Sequence, residues 1–379
     1  MNPQIKLIYL KLRAASLAAI KPFLGSNPHG VQQGPHRFRK IIFIRTDRIG
    51  DMVLSTPAFK AIKTAFPDAA LTVLASRANY PLIQSDPYVN EILVHDSSAG
   101  LKETARMVRR LRSRRFDAVI DPMTGYDAQT AFLSYLTQAE TRVGFVGFGR
   151  EVFFSAPVQL PETKPGIVDL HLALLTRMGI HCSGIEPELF LREEEMERAR
   201  RWVRRVASEG ERIIGIHPGA HYATQRWGIR NYAALVELLM KNTGLKPVVL
   251  GGPADIPLVK GILARTNDSV PAVFSSDLRE LMALISQIDV LVCNNSGPLH
   301  IAAALKVPTV SFMGPTVKSL WTPAGSRHCA LRADDLDCIG CNNGVCRTGT
   351  LECMQRLTPE IAREALAELL NQSLCRKAA

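Results

Sequence analysis

Short apolar runs alternating with helix-period segments restrict this chain most, because the alternation stops near the middle and then starts again. Ile41–Ile44 (IIFI), Leu71–Ala75 (LTVLA), Glu91–Val94 (EILV) and Asp117–Pro122 (DAVIDP) have the length and character of strands, with helical patterns between several of them. Such runs fit a parallel sheet covered by helices on both faces. A long charged helix follows at EPELFLREEEMERARRWVRRVASEGE, and strand-like runs then resume in RIIGIHPG, KPVVLGGPAD, PAVFSS, DVLVCNNSG and PTVSFMG. The expectation is an α/β protein with two doubly wound, Rossmann-like domains, 39–195 and 196–379, after a segment 1–38. At 379 residues and 46% hydrophobic content the chain exceeds the ~250–300 residues one core usually serves. Ligands of doubly wound sheets bind at the carboxyl ends of strands, so a cleft between the two domains is the expected site.

Charge narrows the partners. Lys and Arg number 46 against 35 Asp and Glu, a net +11, which favours an anionic partner such as nucleic acid, an acidic membrane surface or a phosphorylated small molecule. Arginines gather in ARMVRRLRSRR and ERARRWVRRVASEGER, where solvated helix faces account for them. No aromatic platform, zinc finger or RNA-recognition signature accompanies them, so nucleic acid is not the expected partner. In the amino-terminal MNPQIKLIYLKLRAASLAAIKPFLGSNPHG, Lys6, Lys11, Arg13 and Lys21 interrupt the apolar residues. Two readings stand: a basic amphipathic helix lying on an anionic membrane, or a helix packed on the protein body. Without a convincing export signal the expected compartment is the cytoplasm.

Three strand-end loops in the second half carry residues suited to a nucleotide diphosphate. In DVLVCNNSGPLHIAAAL, Asn295, Ser296 and Gly297 precede an Ala-rich helix with His300 in its first turn, an arrangement of amides and dipole that suits an anion. In GIHPGAHYATQRWGIRNY, His217, Gly219, Thr224, Gln225 and Arg226 follow a strand, and Arg226 can offer a bidentate fork to phosphate. In VVLGGPAD, Gly252 leads to Asp255, a hydrogen-bond acceptor for a ribose. The first domain differs: IIFIRTDRIGDMVLSTPAFKAIKTAFP reads as strand, tight loop and helix (Ala58, Phe59, Ile62, Phe66), yet places the carboxylate of Asp51 straight after Gly50. That acid either complements the helix dipole or does chemistry.

Near the carboxyl end, Cys338, Cys341, Cys346 and Cys353 fall within CIGCNNGVCRTGTLEC. Four thiols at that spacing are expected to form a structural zinc or iron site, with a reduced metal-free cluster or two disulfides as the other readings. The last helix is expected to open at Thr358-Pro359-Glu360.

Together, RTDRIGDMVLSTPAFKAIKTAFP, HPGAHYATQRWGIRNYAAL, VVLGGPAD and NNSGPLHIAAALKVPTVSFMGPT resemble, in this order, the bacterial ADP-heptose:lipopolysaccharide heptosyltransferases. The resemblance runs from about Ile41 to the final helix. It implies a GT-B fold and inverting transfer of a sugar from a nucleotide diphosphate, with heptose on ADP first, to a lipopolysaccharide core or related glycan at the inner face of the cytoplasmic membrane. Asp51 would be the catalytic base and Arg45, Thr46, Arg48 and Gly50 the acceptor-side loop, with no cofactor required. The chain departs from the family where Gln225 replaces a Lys and Asn295 replaces an Asp. A hexosyltransferase and a silent sugar-nucleotide-binding protein are therefore the alternatives; a nicotinamide oxidoreductase lacks support, because no Gly-x-Gly-x-x-Gly follows the first strand.

Overall fold

The computed structural model describes residues 10, 13, 14, 16, 17 and 19, and 38–377 apart from 97, 99, 164 and 268; for 101 and 372–377 it describes the backbone alone. The chain divides into two compact units, Met1–Pro187 and Glu188–Ala379. The division precedes the charged helix Glu193–Val206, so that helix lies wholly in the second unit.

In the first unit the strands are β1 (Lys40–Arg45), β2 (Ala70–Ser76), β3 (Glu91–His95), β4 (Ala118–Asp121), β5 (Thr141–Phe145) and β6 (Ala156–Val158). They form a parallel sheet in the order β3-β2-β1-β4-β5-β6. Both faces are covered, which explains why IIFI is apolar without a break. Ile42 and Ile44 join Met107, Leu111 and Leu133 in one core cluster. Phe43 points the other way and meets Phe59 edge-on at 5.1 Å and His171 at 6.5 Å. The expected single helix after the loop is in fact two, Ile49–Val53 and Thr56–Ala65. Pro57 at the start of the second favours a new helix there, and Ser55 Oγ donates to the Asp51 carbonyl at 2.8 Å across the joint.

The described amino-terminal residues are helical and belong to this unit. Arg13 donates to the carbonyls of Tyr126 and Phe148, and Leu17 packs with Phe153 and Phe154. Gly149, at φ +85°, lets the Ala14 backbone come close; a Cβ there would lie 2.8 Å from Ala14 Cα. The rest of 1–37 lies outside the described residues. Among those described, no helix is long and apolar enough to cross a membrane.

In the second unit β7 (Arg212–His217), β8 (Leu245–Gly251), β9 (Ala272–Phe274), β10 (Val290–Asn294), β11 (Thr309–Phe312) and β12 (His328–Leu331) form another parallel sheet, ordered β12-β11-β10-β7-β8-β9. Its core centres on Trp227, stacked on Phe312 at 3.9 Å and edge-on to Tyr232 at 5.0 Å, with its indole N–H given to the Leu357 carbonyl. Such aromatic pairs contribute ~0.5–1.5 kcal/mol beyond their buried area. The final helix, Pro359–Lys377, seals this cluster with Ala362, Leu366 and Leu369. The charged helix instead presents solvated ion pairs, Arg200–Glu193 and Arg204–Glu197, on its exposed side.

Candidate functional site

The first unit gathers its polar residues at the carboxyl end of β1. Arg45, expected in the loop, is instead the last residue of that strand and only 3% exposed. A guanidinium can be buried there because two carboxylates neutralise it: Nη2 lies 2.8 Å from Asp51 Oδ1, and Nε lies 3.1 Å from Asp47 Oδ1. Asp51 occupies the first turn of Ile49–Val53, with its side chain 13% exposed. Thr46 and the exposed Arg48 complete the turn, and Gly50 is buried inside the short helix.

Three residues here escaped the sequence reading. Asn79 is fully buried; its Nδ2 donates to the carbonyls of Arg45 (3.0 Å) and Asp47 (3.3 Å), while its Oδ1 accepts from Ser76 N–H at 2.8 Å. His171 reaches the Leu54 carbonyl at 3.0 Å, and burial followed by the nearby Arg45 charge pushes its pKa well below the usual histidine value. Burial pushes the Asp47 carboxyl up to about 6 against the pull of Arg45. Asp47 stood in the quoted motif, but only the fold reveals that it shares a cation with Asp51.

In the second unit the fold brings the three strand-end loops together. His217 ends β7, and its Nε2 lies 3.4 Å from Asp255 Oδ2; the same oxygen accepts from Gly252 N–H at 3.0 Å. Burial alone would raise the Asp255 carboxyl, but its bond from His217 and the Gly252 amide outweigh it and hold the pKa below the ordinary value. Gly219 sits against this pair so closely that a Cβ would fall 2.1 Å from Asp255 Oδ1 and 2.8 Å from His217 Cε1. His217 Nδ1 is buried and has no hydrogen-bond partner among the described residues.

Asn294 is the clasp that the sequence did not disclose. From the end of β10, its Nδ2 donates to the carbonyls of Pro218 (2.8 Å) and Gly219 (3.2 Å), and its Oδ1 accepts from Trp227 N–H at 3.0 Å. One buried amide thus fixes both ends of the loop that follows β7. The consecutive asparagines at a strand end were the only available signal.

Several residues expected to face a ligand also hold the loops. Arg226 gives Nε and Nη2 to the Ala220 carbonyl, both at 3.1 Å. Gln225 is buried and accepts from Tyr222 N–H at 3.5 Å, and Asn295 Nδ2 donates to Thr316 Oγ1 at 3.2 Å. Ser296 precedes the helix Gly297–Ala304, which carries the buried His300 in its first turn, 5.9 Å from the Trp321 ring.

Thr224 connects this region to the cysteine segment by donating to the Asn343 carbonyl at 2.7 Å. The four cysteines expected to bind metal line one cavity of about 30 Å³ with Thr224 and Pro315. Among the described residues, however, no group of three or more His, Cys, Asp or Glu side chains is placed to hold a metal ion. Hydrogen bonding from Thr348, followed by backbone amides, lowers the Cys346 thiol to about 7.

Comparison with known proteins bears on what these strand ends serve. The model of Glycosyltransferase family 9 (heptosyltransferase) matches residues 104–351, well over half of the chain. Lipooligosaccharide heptosyltransferase 2 of Haemophilus influenzae is 25% identical over 346 residues, which cover 87% of this chain and 99% of that protein. Two solved structures share the fold. The family 9 glycosyl transferase from Veillonella parvula is 20% identical, covering 88% of this chain and 97% of its own, with a TM-score of 0.77. The E. coli ADP-heptose lipopolysaccharide heptosyltransferase II is 23% identical, covering 88% and 99%, with a TM-score of 0.73. The two parallel sheets are thus those of a GT-B protein, and the chain belongs to glycosyltransferase family 9, the heptosyltransferase family.

Proposed function

We propose that this family 9 glycosyltransferase moves heptose from ADP-heptose to a lipopolysaccharide core acceptor with inversion at the anomeric carbon. The observation that carries the reading is a largely buried carboxylate, Asp51, in the first turn of the short helix after β1 of one unit, together with three converging strand-end loops around His217, Asp255 and Asn294 in the other. The acceptor hydroxyl gives its proton to Asp51 as its oxygen bonds to the anomeric carbon. The bond from that carbon to the diphosphate breaks, and its electron pair leaves with ADP. The backbone amides at Ser296 and Gly297 and the remaining donors of Arg226 stabilise the leaving charge, so this route uses no cofactor. Asp255 is the acceptor for the ribose, and the neutral Gln225 and Asn295 lie toward the diphosphate and sugar.

The acceptor is lipid-linked, and the protein works as a peripheral protein at the inner face of the cytoplasmic membrane. The net charge of +11 supports this placement, as do Tyr126, Phe132 and Phe148, which are 43–49% exposed around the site where Arg13 docks. Cys338, Cys341, Cys346 and Cys353 would hold a structural zinc or iron only if the thiols drew together around it, and such a metal would stiffen the loop carrying Thr224.

One assay tests the donor, the base and the membrane contact: ADP release from ADP-heptose with lipopolysaccharide core acceptor displayed on anionic vesicles. The wild-type chain should turn over and sediment with the vesicles. Asp51→Asn should lose at least ~100-fold in kcat while ADP affinity stays within about two-fold. Near wild-type turnover by the variant would remove Asp51 as base. ADP-heptose binding without ADP release from the wild type would leave a silent binding protein, preference for a hexose donor would change the sugar, and failure to sediment would remove the membrane contact.

A further inference from the structure

Asp51 meets a difficulty as a base: its Oδ1 lies 2.8 Å from the guanidinium of Arg45, which is almost fully buried. A cation at hydrogen-bond distance stabilises a carboxylate and weakens its hold on an incoming proton. The same cation has a second claimant. Asp47 Oδ1 lies 3.1 Å from Arg45 Nε, an ion pair whose angle does not make a hydrogen bond. Asn79 grips the backbone carbonyls of both Arg45 and Asp47, and Arg45 Nη1 rests 3.5 Å from Met123 Sδ. The guanidinium is therefore fixed between two acids.

We propose that Asp47 is a positioning residue that sets the basicity of Asp51 by sharing the charge of Arg45. When ionised, Asp47 takes up part of that charge and leaves Asp51 basic enough to receive the acceptor's proton. When protonated, it returns the whole charge to Asp51. The inference rests on the reading of Asp51 as base.

The surroundings put this exchange within reach of ordinary pH. Burial raises the Asp47 carboxyl most and Arg45 opposes it; the Asp51 charge adds to the rise, Arg48 subtracts, and the group stands at about 6. The other charged or titratable neighbours have partners of their own. His171, on the helix Ile167–Leu175, is kept neutral by burial and by Arg45. Asp121, whose Oδ1 accepts from Met123 N–H, lies 2.8 Å from Arg150; burial raises its carboxyl and Arg150 opposes the rise. Of the groups in contact with Arg45, Asp47 is the one that burial brings to about 6. Its raised pKa means that acidification through about 6 protonates it, so catalysis should fall as pH drops through that value.

The test is kcat and KM of the full chain from pH 5 to 8 for wild type, Asp47→Asn, Asp47→Glu and Asp51→Asn. Asp47→Asn should lose about ten-fold in kcat at pH 8, with KM within about two-fold. It should also lose the acid limb near 6, which Asp47→Glu should restore. A wild type without that limb overturns the proposal, as does an Asp47→Asn variant that keeps either wild-type kcat or the limb. Asp51→Asn with wild-type kcat sinks the base reading itself; loss in Asp51→Asn beside an unaltered Asp47→Asn sinks this proposal alone.

Discussion

Two glycines on neighbouring loops of the second unit should respond oppositely to one added methyl group. At Gly219 the new Cβ would lie 2.1 Å from Asp255 Oδ1, 2.7 Å from its Cγ and 2.8 Å from His217 Cε1. Non-bonded heavy atoms settle at ~3.5–4 Å, so the carboxylate must retreat by more than about 1 Å. That movement costs it the Gly252 N–H at 3.0 Å or the His217 contact at 3.4 Å. A hydrogen bond to a charged group contributes ~1.5–3 kcal/mol, so losing one weakens the loop by about 2 kcal/mol. If the loop binds ADP, Gly219→Ala should lower affinity about 30-fold and shift the urea midpoint downward. At Gly252 the nearest atoms to a Cβ are 3.7 and 3.8 Å away, the backbone (φ −87°, ψ −179°) is open to alanine, and the N–H that reaches Asp255 is retained. Gly252→Ala should bind ADP within about two-fold of wild type. Calorimetric titration with ADP and urea denaturation of both variants decide the matter. Equal damage at the two positions, or an undisturbed Gly219→Ala, would refute the steric argument.

Two further tests address what holds the second unit together. Glu195 accepts from Arg279 Nε at 2.9 Å and Nη2 at 2.5 Å with both side chains buried, so Glu195→Gln should cost about 3 kcal/mol at pH 7 by stranding the guanidinium. Hydrogen bonding from Arg279 chiefly holds the Glu195 carboxyl at about 2, so its stabilisation is present above pH 4.5 and lost as pH falls toward 2; a wild-type advantage unchanged in urea melts at pH 3 would refute this. At the cysteine cavity, gently purified protein should carry about one zinc or iron per chain, and Cys341→Ser should lower both metal content and ADP affinity through the Thr224–Asn343 contact; background metal in the wild type would end that reading.

The strands were legible because periodicity records burial: Ile41–Ile44 is apolar at every position since both faces of its sheet are covered, and the structure extends that run only to Lys40–Arg45. The final helix was equally plain, since Thr358, Pro359 and Glu360 are local signals, and it begins at Pro359. Local chemistry is silent where a side chain's partner is remote. Asn294 bonds across 76 residues to Pro218, and Asn79 reaches back to Arg45 and Asp47, partners that no spacing rule identifies. Gln225, Arg226 and Asn295 read as ligand-facing because a polar residue at a strand end is usually free to be so; the structure adds that each also holds a neighbouring protein group through part of its hydrogen-bonding capacity. The sequence by itself determined two parallel α/β units and the strand ends where chemistry collects, because apolar patterning follows from burial along the chain. Only the tertiary structure decided that Arg45 is buried between two acids and which amide clasps which loop. The amide contacts depend on strand order, which brings Asn294 to Pro218 and Asn79 to Arg45 across the sheet, whereas the Arg45 pairing depends on the tight turn after β1 folding Asp47 and Asp51 back onto the strand end.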